Sequence, residues 1–345
     1  MHLTASHAHI WSKCTSQPLM ATAYPLENND EIRLEGISAH EVAENLLIGR
    51  EAPEGTELEM LEHIQGYVEA VKQSGTLIGI ELSLPIKCIP HMTTVRIDTV
   101  TKQGSTLHIW DLKYGHTPTE VYDNSQLAIG AACYLETKDP DKTFTEVIFH
   151  IYQPRVYHQP THNTQTLTIP YLWRLISELK TKSEEVFSDK ARLLPGKHCR
   201  YCPAKGICDV ALNDVTSFEY FEIPRTRTKE ILERTLLYVK DMEDKLRNVK
   251  IGLEERLLPM LKEAPGKYFE YTTALGKTKW SVDIEYLKGV DERLVKETAI
   301  SPAEALRLGV DKQIVQWHTH RPQTGLKIRR INTKKAKDAF LTKEK

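Results

Sequence analysis

Apolar residues at Ala39, Val42, Ala43, Leu46 and Leu47 recur at three- and four-residue intervals, which predicts an amphipathic helix opening at Gly36-Ile37-Ser38-Ala39-His40. The same periodicity predicts a second helix from Glu57 to Lys72. The texture then changes. Thr76–Leu84, Met92–Val100, Ser105–Tyr114 and Phe144–Tyr152 are β-rich runs bounded by Gly, Pro or charged turns, and each reads as a strand. A helix is predicted between the last two, over about Asn124–Glu136, and another from Pro170 to Phe187. Helices, three strands, a helix and a fourth strand define an α/β fold: a mixed central sheet flanked by helices.

A cysteine-rich knot at Cys199–Cys208 closes that part, and the pattern beyond it is different. Leu232, Thr235, Val239, Met242, Leu246, Val249 and Leu253 alternate at three and four residues, the spacing of a coiled-coil seam. This long helix is expected to stop at Ala264-Pro265-Gly266 and to pack within the chain, with a second copy, and hence an oligomer, as the alternative. Three regions follow: an α/β core over residues 1–215, a heptad-patterned helix over 216–265, and a small α/β accessory region over 266–345.

The 345 residues suffice for about two domains, and 40% hydrophobic with 27% charged residues is ordinary globular composition. No apolar run approaches the roughly 20 residues of a membrane helix. The opening Met1-His2-Leu3-Thr4-Ala5-Ser6 lacks the order of a signal peptide. The expected setting is a reducing cytoplasm, where six cysteines read as ligands or buried thiols. A net charge of −1 gives no overall attraction to nucleic acid, but the charges from Arg321 to Lys345 are nearly all basic. That tail suits phosphate contact or a solvated helix.

The most informative stretch is Thr94-Val95-Arg96-Ile97-Asp98-Thr99-Val100, followed by Leu107-His108-Ile109-Trp110-Asp111-Leu112-Lys113. Strand alternation puts Asp111 and Lys113 on one face, and a turn at Gln103-Gly104-Ser105 brings Asp98 towards Asp111. Two hard carboxylates beside an ammonium suit Mg²⁺ or Mn²⁺ and phosphoryl chemistry, with Lys113 orienting water or stabilising developing charge. A bare Asp-x-Lys is more often a cross-strand ion pair. His40, with Glu44 one turn on, and Gln126 on the next helix supply the further groups a metal site uses.

Cys199, Cys202 and Cys208 form a C-x2-C-x5-C array, and Cys14 is a fourth candidate far upstream. Such a set can hold zinc or an iron–sulfur cluster. Cys88 and Cys133 lie outside the pattern and read as core thiols.

His, then Asp, then Asp-x-Lys, then Gln, in that order, resembles the PD-(D/E)XK (restriction-endonuclease-like) nuclease core over about residues 1–215. The branch most similar is the RecB-like one. The resemblance implies that His40, Asp98, Asp111 and the Leu112 carbonyl bind metal. It makes Lys113 catalytic and Gln126 the start of a Gln-x-x-x-Tyr motif, and it gives Glu81 an acidic role. The chain departs from that motif: Gly130 stands where the tyrosine is expected, and Tyr134 is the nearest one. The cysteine layout is similar to an iron–sulfur subset of the branch, implying a [4Fe–4S] cluster on Cys14, Cys199, Cys202 and Cys208. Gln153-Pro154-Arg155 recurs in a phage and prophage family of RecB-like proteins, with Arg155 touching phosphate or capping the sheet. Lys277, Lys279 and Trp280, with the basic tail, make a further DNA-guiding surface.

The function implied is an Mg²⁺- or Mn²⁺-dependent deoxyribonuclease, an exonuclease or end-processing enzyme of phage-type recombination, repair or replication. Its expected partners are DNA ends or single strands and phage recombination or single-strand-binding proteins, in a bacterial host's cytoplasm. The alternatives are a non-catalytic DNA-binding scaffold on the same fold and a zinc-stabilised adaptor.

Overall fold

Alternating apolar and polar residues from Thr76 onward build a five-stranded sheet in the order β1-β2-β3-β4-β5. Its strands are β1 (Thr76–Pro85), β2 (Thr94–Gln103), β3 (Thr106–Leu112), β4 (Glu146–Tyr152) and β5 (His162–Thr168). β3 and β4 are parallel and the other neighbours antiparallel, so the sheet is mixed. The computed structural model describes residues 2–25, 30–156, 160–216, 228–275, 279–282, 284–295, 301–320 and 323–330.

Before the sheet come α1 (Ala8–Trp11), α2 (Gln17–Ala23), α3 (Asp30–Leu47) and α4 (Leu58–Gln73); α5 (Ser125–Lys138) and α6 (Ile169–Val186) follow β3 and β5. The side chains sort onto two faces. Val95, Ile97, Ile109, Val147 and Phe149 pack with residues of α1, α5 and α6 in the main core. On the opposite face Trp110, Leu112 and Tyr114 pack with Ala39, Val42, Ile64, Tyr67 and Val68 of α3 and α4. Burial on both faces accounts for the apolar Leu107, Ile109, Trp110 and Leu112 of β3, among which Asp111 is the site's carboxylate.

Three features differ from the expectation. The first long helix starts at Asp30, so Gly36 lies inside it; a Cβ there would meet nothing within 4 Å, and the glycine weakens the helix without ending it. Two short helices occupy the N-terminal segment. The strand β5 was not expected, because His162-Asn163-Thr164-Gln165-Thr166-Leu167-Thr168 buries a single apolar residue, Leu167, as a polar edge strand does.

After the knot come α7 (Asp209–Thr216) and α8 (Lys229–Glu263). Met242 and Val249 of the α8 seam are buried, whereas Leu232, Val239 and Leu246 are exposed. The chain divides into two compact units, residues 1–252 and 253–345. The second contains β6 (Phe269–Leu275), β7 (Lys279–Trp280), α9 (Ile284–Val290), α10 (Pro302–Arg307), α11 (Lys312–Trp317), β8 (Thr319–His320) and β9 (Gln323–Arg330). β6 pairs with β9 and β7 with β8, and Leu287, Leu294, Ala305, Val310 and Val315 form a small core. Among the described residues no helix is long and apolar enough to cross a membrane.

Candidate active site

The sheet opens where the site lies. The β2–β3 ladder runs from Gln103↔Thr106 to Thr99↔Trp110. Beyond it the Leu112 N–H donates to the Asp98 carboxylate (Oδ2, 2.8 Å), a side chain taking the place of a backbone partner. On the other side of β2, Ile80↔Thr99 and Leu82↔Ile97 bracket the position where Glu81 faces Asp98. Glu81 takes a φ of 46°, a left-handed conformation uncommon outside glycine, in a strand whose register already shifts between Leu77 and Gly79. Its carboxylate pairs with Arg96 and lies 3.4 Å from His40 Nδ1 of α3. His40 Nδ1 is also 3.7 Å from Asp98 Oδ2. One ligand atom each from His40, Glu81 and Asp98 thus falls within 4.8 Å of the others.

The second half of the site is held by α5. Asn124 caps this helix, accepting from the N–H groups of Gln126 and Leu127, and so fixes Gln126 in the first turn. Gln126 Nε2 donates to Asp111 Oδ1 (3.0 Å), and Lys113 Nζ donates to Asp111 Oδ1 (3.0 Å) and to Gln126 Oε1 (3.3 Å). Asp111 Oδ2 lies 2.9 Å from Lys113 Nζ in an ion pair yet accepts no directed hydrogen bond, which leaves a buried carboxylate oxygen with coordination to spare.

Charge accumulates here. Burial, and then the Asp111 carboxylate, push Asp98 up to about 6. Burial would lower His40, but Glu81, Asp98 and Asp111 outweigh it and raise the imidazole above its ordinary value. Lys113 behaves alike: burial opposes its charge, Asp111 and Asp98 restore it, and the net shift is upward. The carboxylates thus concentrate negative charge that raises the proton affinity of the groups around them. Two carboxylates and an imidazole form a donor set that fits a divalent metal ion. Tyr67, buried and donating to Thr99 Oγ1 at 2.8 Å, helps wall this pocket, which Leu112 and Glu44 also border.

Lys113 and Gln126 in turn face a cleft of about 850 Å³ formed by the N-terminal segment, α5, α6 and the cysteine loop. Cys14, Cys199, Cys202 and Cys208 line a separate pocket together. Burial raises the Cys14 and Cys199 thiols and pushes Cys202 up to about 11. Cys133 is buried in the main core and Cys88 packs against it.

His40, Asp98, Asp111, Leu112, Lys113 and Gln126 are thus neighbours, whereas the tight group is His40, Asp98 and the additional Glu81, without Asp111. Arg155 is engaged within the fold, paired to Glu35 at 2.6 Å and lying over the Tyr114 ring at 4.9 Å. Its neighbour Gln153 carries a role the sequence does not signal. Buried, it donates to the Gly115 and Thr117 carbonyls (2.6 and 2.7 Å) and accepts from the Thr119 N–H (3.0 Å), fixing the loop beside the cleft. Gly130 has a packing reason: a Cβ there would meet Ile97 Cγ1 at 3.2 Å, so a side chain at this position would press on Ile97 between α5 and the sheet. Lys279 and Trp280 form β7, whereas Lys277 and residues 331–345 of the basic tail lie outside the described residues.

The fold and site define an α/β protein with a mixed five-stranded sheet flanked by helices and an acidic–histidine group able to bind metal. The chain belongs to the family described as Protein of unknown function (DUF2800), which matches it over residues 1–300. Among solved structures it is similar to a proposed exonuclease from Eubacterium rectale, at 9% identity and a TM-score of 0.36, over 67% of this chain and 91% of that one. It is also similar to SSO0001, at 10% identity and a TM-score of 0.28, over 58% and 84% of the two chains. No curated protein matches.

Proposed function

We propose that this chain is an Mg²⁺- or Mn²⁺-dependent deoxyribonuclease, acting on DNA ends as an exonuclease or end-processing enzyme. The observation that carries the reading is the convergence of His40, Glu81 and Asp98 beside the Asp111–Lys113–Gln126 network. His40, Asp98 and Asp111, with Glu81 and the Leu112 carbonyl as further donors, would hold a divalent ion, which would supply Lewis acidity at a phosphoryl oxygen and activate a water. Asp111 and Asp98 raise the affinity of the Lys113 ammonium for its proton, which supports a role as a charge. Lys113 acts as a fixed positive charge for the phosphate as negative charge builds up in the transition state. Gln126 holds Lys113 and Asp111 in that arrangement through one amide.

The pocket lined by Cys14, Cys199, Cys202 and Cys208 is where a [4Fe–4S] cluster would sit, a reading that rests on the sequence resemblance, with zinc as the alternative. The setting in phage-type recombination, repair or replication, with recombination or single-strand-binding proteins as partners, rests on the sequence resemblance.

Cleavage of labelled DNA in the presence of Mn²⁺ tests the function. Wild-type protein should degrade it, and both EDTA and Asp111→Asn should abolish degradation while DNA binding remains. Undiminished cleavage by Asp111→Asn would sink the assignment.

A further inference from the structure

Each carboxylate of the site already gives one oxygen to a donor of the protein. Asp98 Oδ2 accepts from the Leu112 N–H at 2.8 Å. Asp111 Oδ1 accepts from Gln126 Nε2 and Lys113 Nζ, both at 3.0 Å. Glu81 Oε2 accepts from Arg96 Nε, which leaves Oε1 on the side of His40 Nδ1, 3.4 Å away. A carboxylate held in this way readily offers an ion one oxygen. To offer both, it must share or give up its protein donor.

Of these donors Arg96 stands apart, because it is neither backbone nor part of the Asp111–Lys113–Gln126 network. It precedes Asp98 by two residues on β2, so the two side chains leave the same face of the strand. Across the ladder Ser83↔Arg96 and Leu82↔Ile97 set it just beyond Glu81 on β1. Glu81 itself sits at a φ of 46°, a strained conformation that persists only where the surroundings over-determine it. Arg96 and His40 grip its carboxylate from two sides, one oxygen each. The guanidinium reaches in from the surface: 66% of the Arg96 side chain is open, against 13% of Glu81's. Its replacement therefore leaves the core untouched.

Divalent ions differ in how they use a carboxylate. Ca²⁺ accepts about 6–8 oxygens in flexible geometry and often takes both from one carboxylate, whereas Mg²⁺ demands a compact, near-octahedral set. We infer that Arg96 is a specificity-determining residue of the metal site: by occupying Glu81 Oε2 it confines Glu81 to one ligand oxygen, which disfavours Ca²⁺ relative to Mg²⁺ or Mn²⁺. This rests on the metal site of the nuclease reading and adds how that site selects its ion. Arg96 is a positioning residue, acting through Glu81. Its positive charge opposes every divalent ion alike, so charge alone changes absolute affinities and leaves their ratio unaltered.

Room-temperature electron paramagnetic resonance of free Mn²⁺, with Ca²⁺ as competitor, measures both affinities on the anaerobically purified full chain without DNA. Wild-type protein should prefer Mn²⁺. Arg96→Ala should tighten Ca²⁺ more than Mn²⁺ and narrow the preference by about fivefold or more. Arg96→Lys, whose ammonium can hold the same oxygen, should keep the preference within about twofold. In a Glu81→Gln background, adding Arg96→Ala should leave the ratio unchanged, because the carboxylate through which Arg96 acts is gone. Equal tightening of both ions in Arg96→Ala would show a charge effect alone and overturn the inference. So would a wild type without preference for Mn²⁺, or an effect of Arg96→Ala that survives Glu81→Gln. Wild-type Mn²⁺ binding in any of these cases leaves the metal site standing. A wild type that binds neither ion overturns the metal site of the nuclease reading, and this inference with it.

Discussion

Asp98 is a largely enclosed carboxylate whose strongest influences are loss of water and a second carboxylate, Asp111. Its affinity for the proton is therefore higher folded, at about 6, than in the unfolded chain, where 3.8 applies. A group shifted upward makes the fold bind protons more tightly, so stability falls as pH rises from 3.8 towards 6 and is flat above that. His40 adds to the same slope. Its raised pKa contributes stability fully present below 6.5 and lost as pH rises through the higher folded value. In EDTA at pH 8, Asp98→Asn should therefore melt above wild type, by about 2 kcal/mol of stability, and the gap should close towards pH 4. Mn²⁺ should raise the wild-type Tm and leave the variant's nearly unchanged. A gap independent of pH would show that Asp98 is not under this strain.

At the scale of elements, α5 connects packing to chemistry. Its first turn places Gln126 over Asp111, and its middle turn lies so close to β2 that a Cβ at residue 130 would press on Ile97. Gly130→Tyr, which would restore the resemblance motif, should cost about 1–3 kcal/mol in urea denaturation, the usual penalty of overpacking. A neutral effect would mean that α5 can move off the sheet. β1 to β4, α4, α5 and α6 were legible because their apolar residues keep a two- or 3.6-residue period on faces that are buried. The polar edge β5 has no such period. Nor does the bulge that turns Glu81 towards His40, since it depends on how β1 registers against β2. The order of His40, Asp98, Asp111, Lys113 and Gln126 was readable as chemistry, whereas the roles of Glu81 as a close neighbour and Gln153 as a loop clamp arise only from tertiary contact.

In the first unit as a whole, hydrogen bonds join the N-terminal segment to residues near 190. Ser16 N–H donates to the Arg192 carbonyl at 3.1 Å, and Arg192 N–H donates to Thr15 Oγ1 at 2.9 Å. A cluster on Cys14, Cys199, Cys202 and Cys208 would close the long loop between these segments and remove unfolded-state entropy. The knot also meets α8: a Cβ on Gly252 would come within 2.4 Å of the Gly206 backbone nitrogen, a close approach that requires glycine. Anaerobically purified wild type should be coloured and contain iron. Cys202→Ser should lose both and melt several degrees lower, whereas Asp111→Asn should retain the colour. A colourless wild type with stoichiometric zinc would replace the cluster with a zinc site.

The most direct test of the account compares wild type with Lys113→Ala on end-labelled linear and on circular DNA, in Mg²⁺ or Mn²⁺. Loss of linear DNA with wild type alone, circles being spared, is the predicted result and marks an end-dependent nuclease that uses this site. If both proteins bind DNA and neither cuts any substrate, the fold is a DNA-binding scaffold, and the account of Lys113 and its carboxylates as catalytic machinery is wrong.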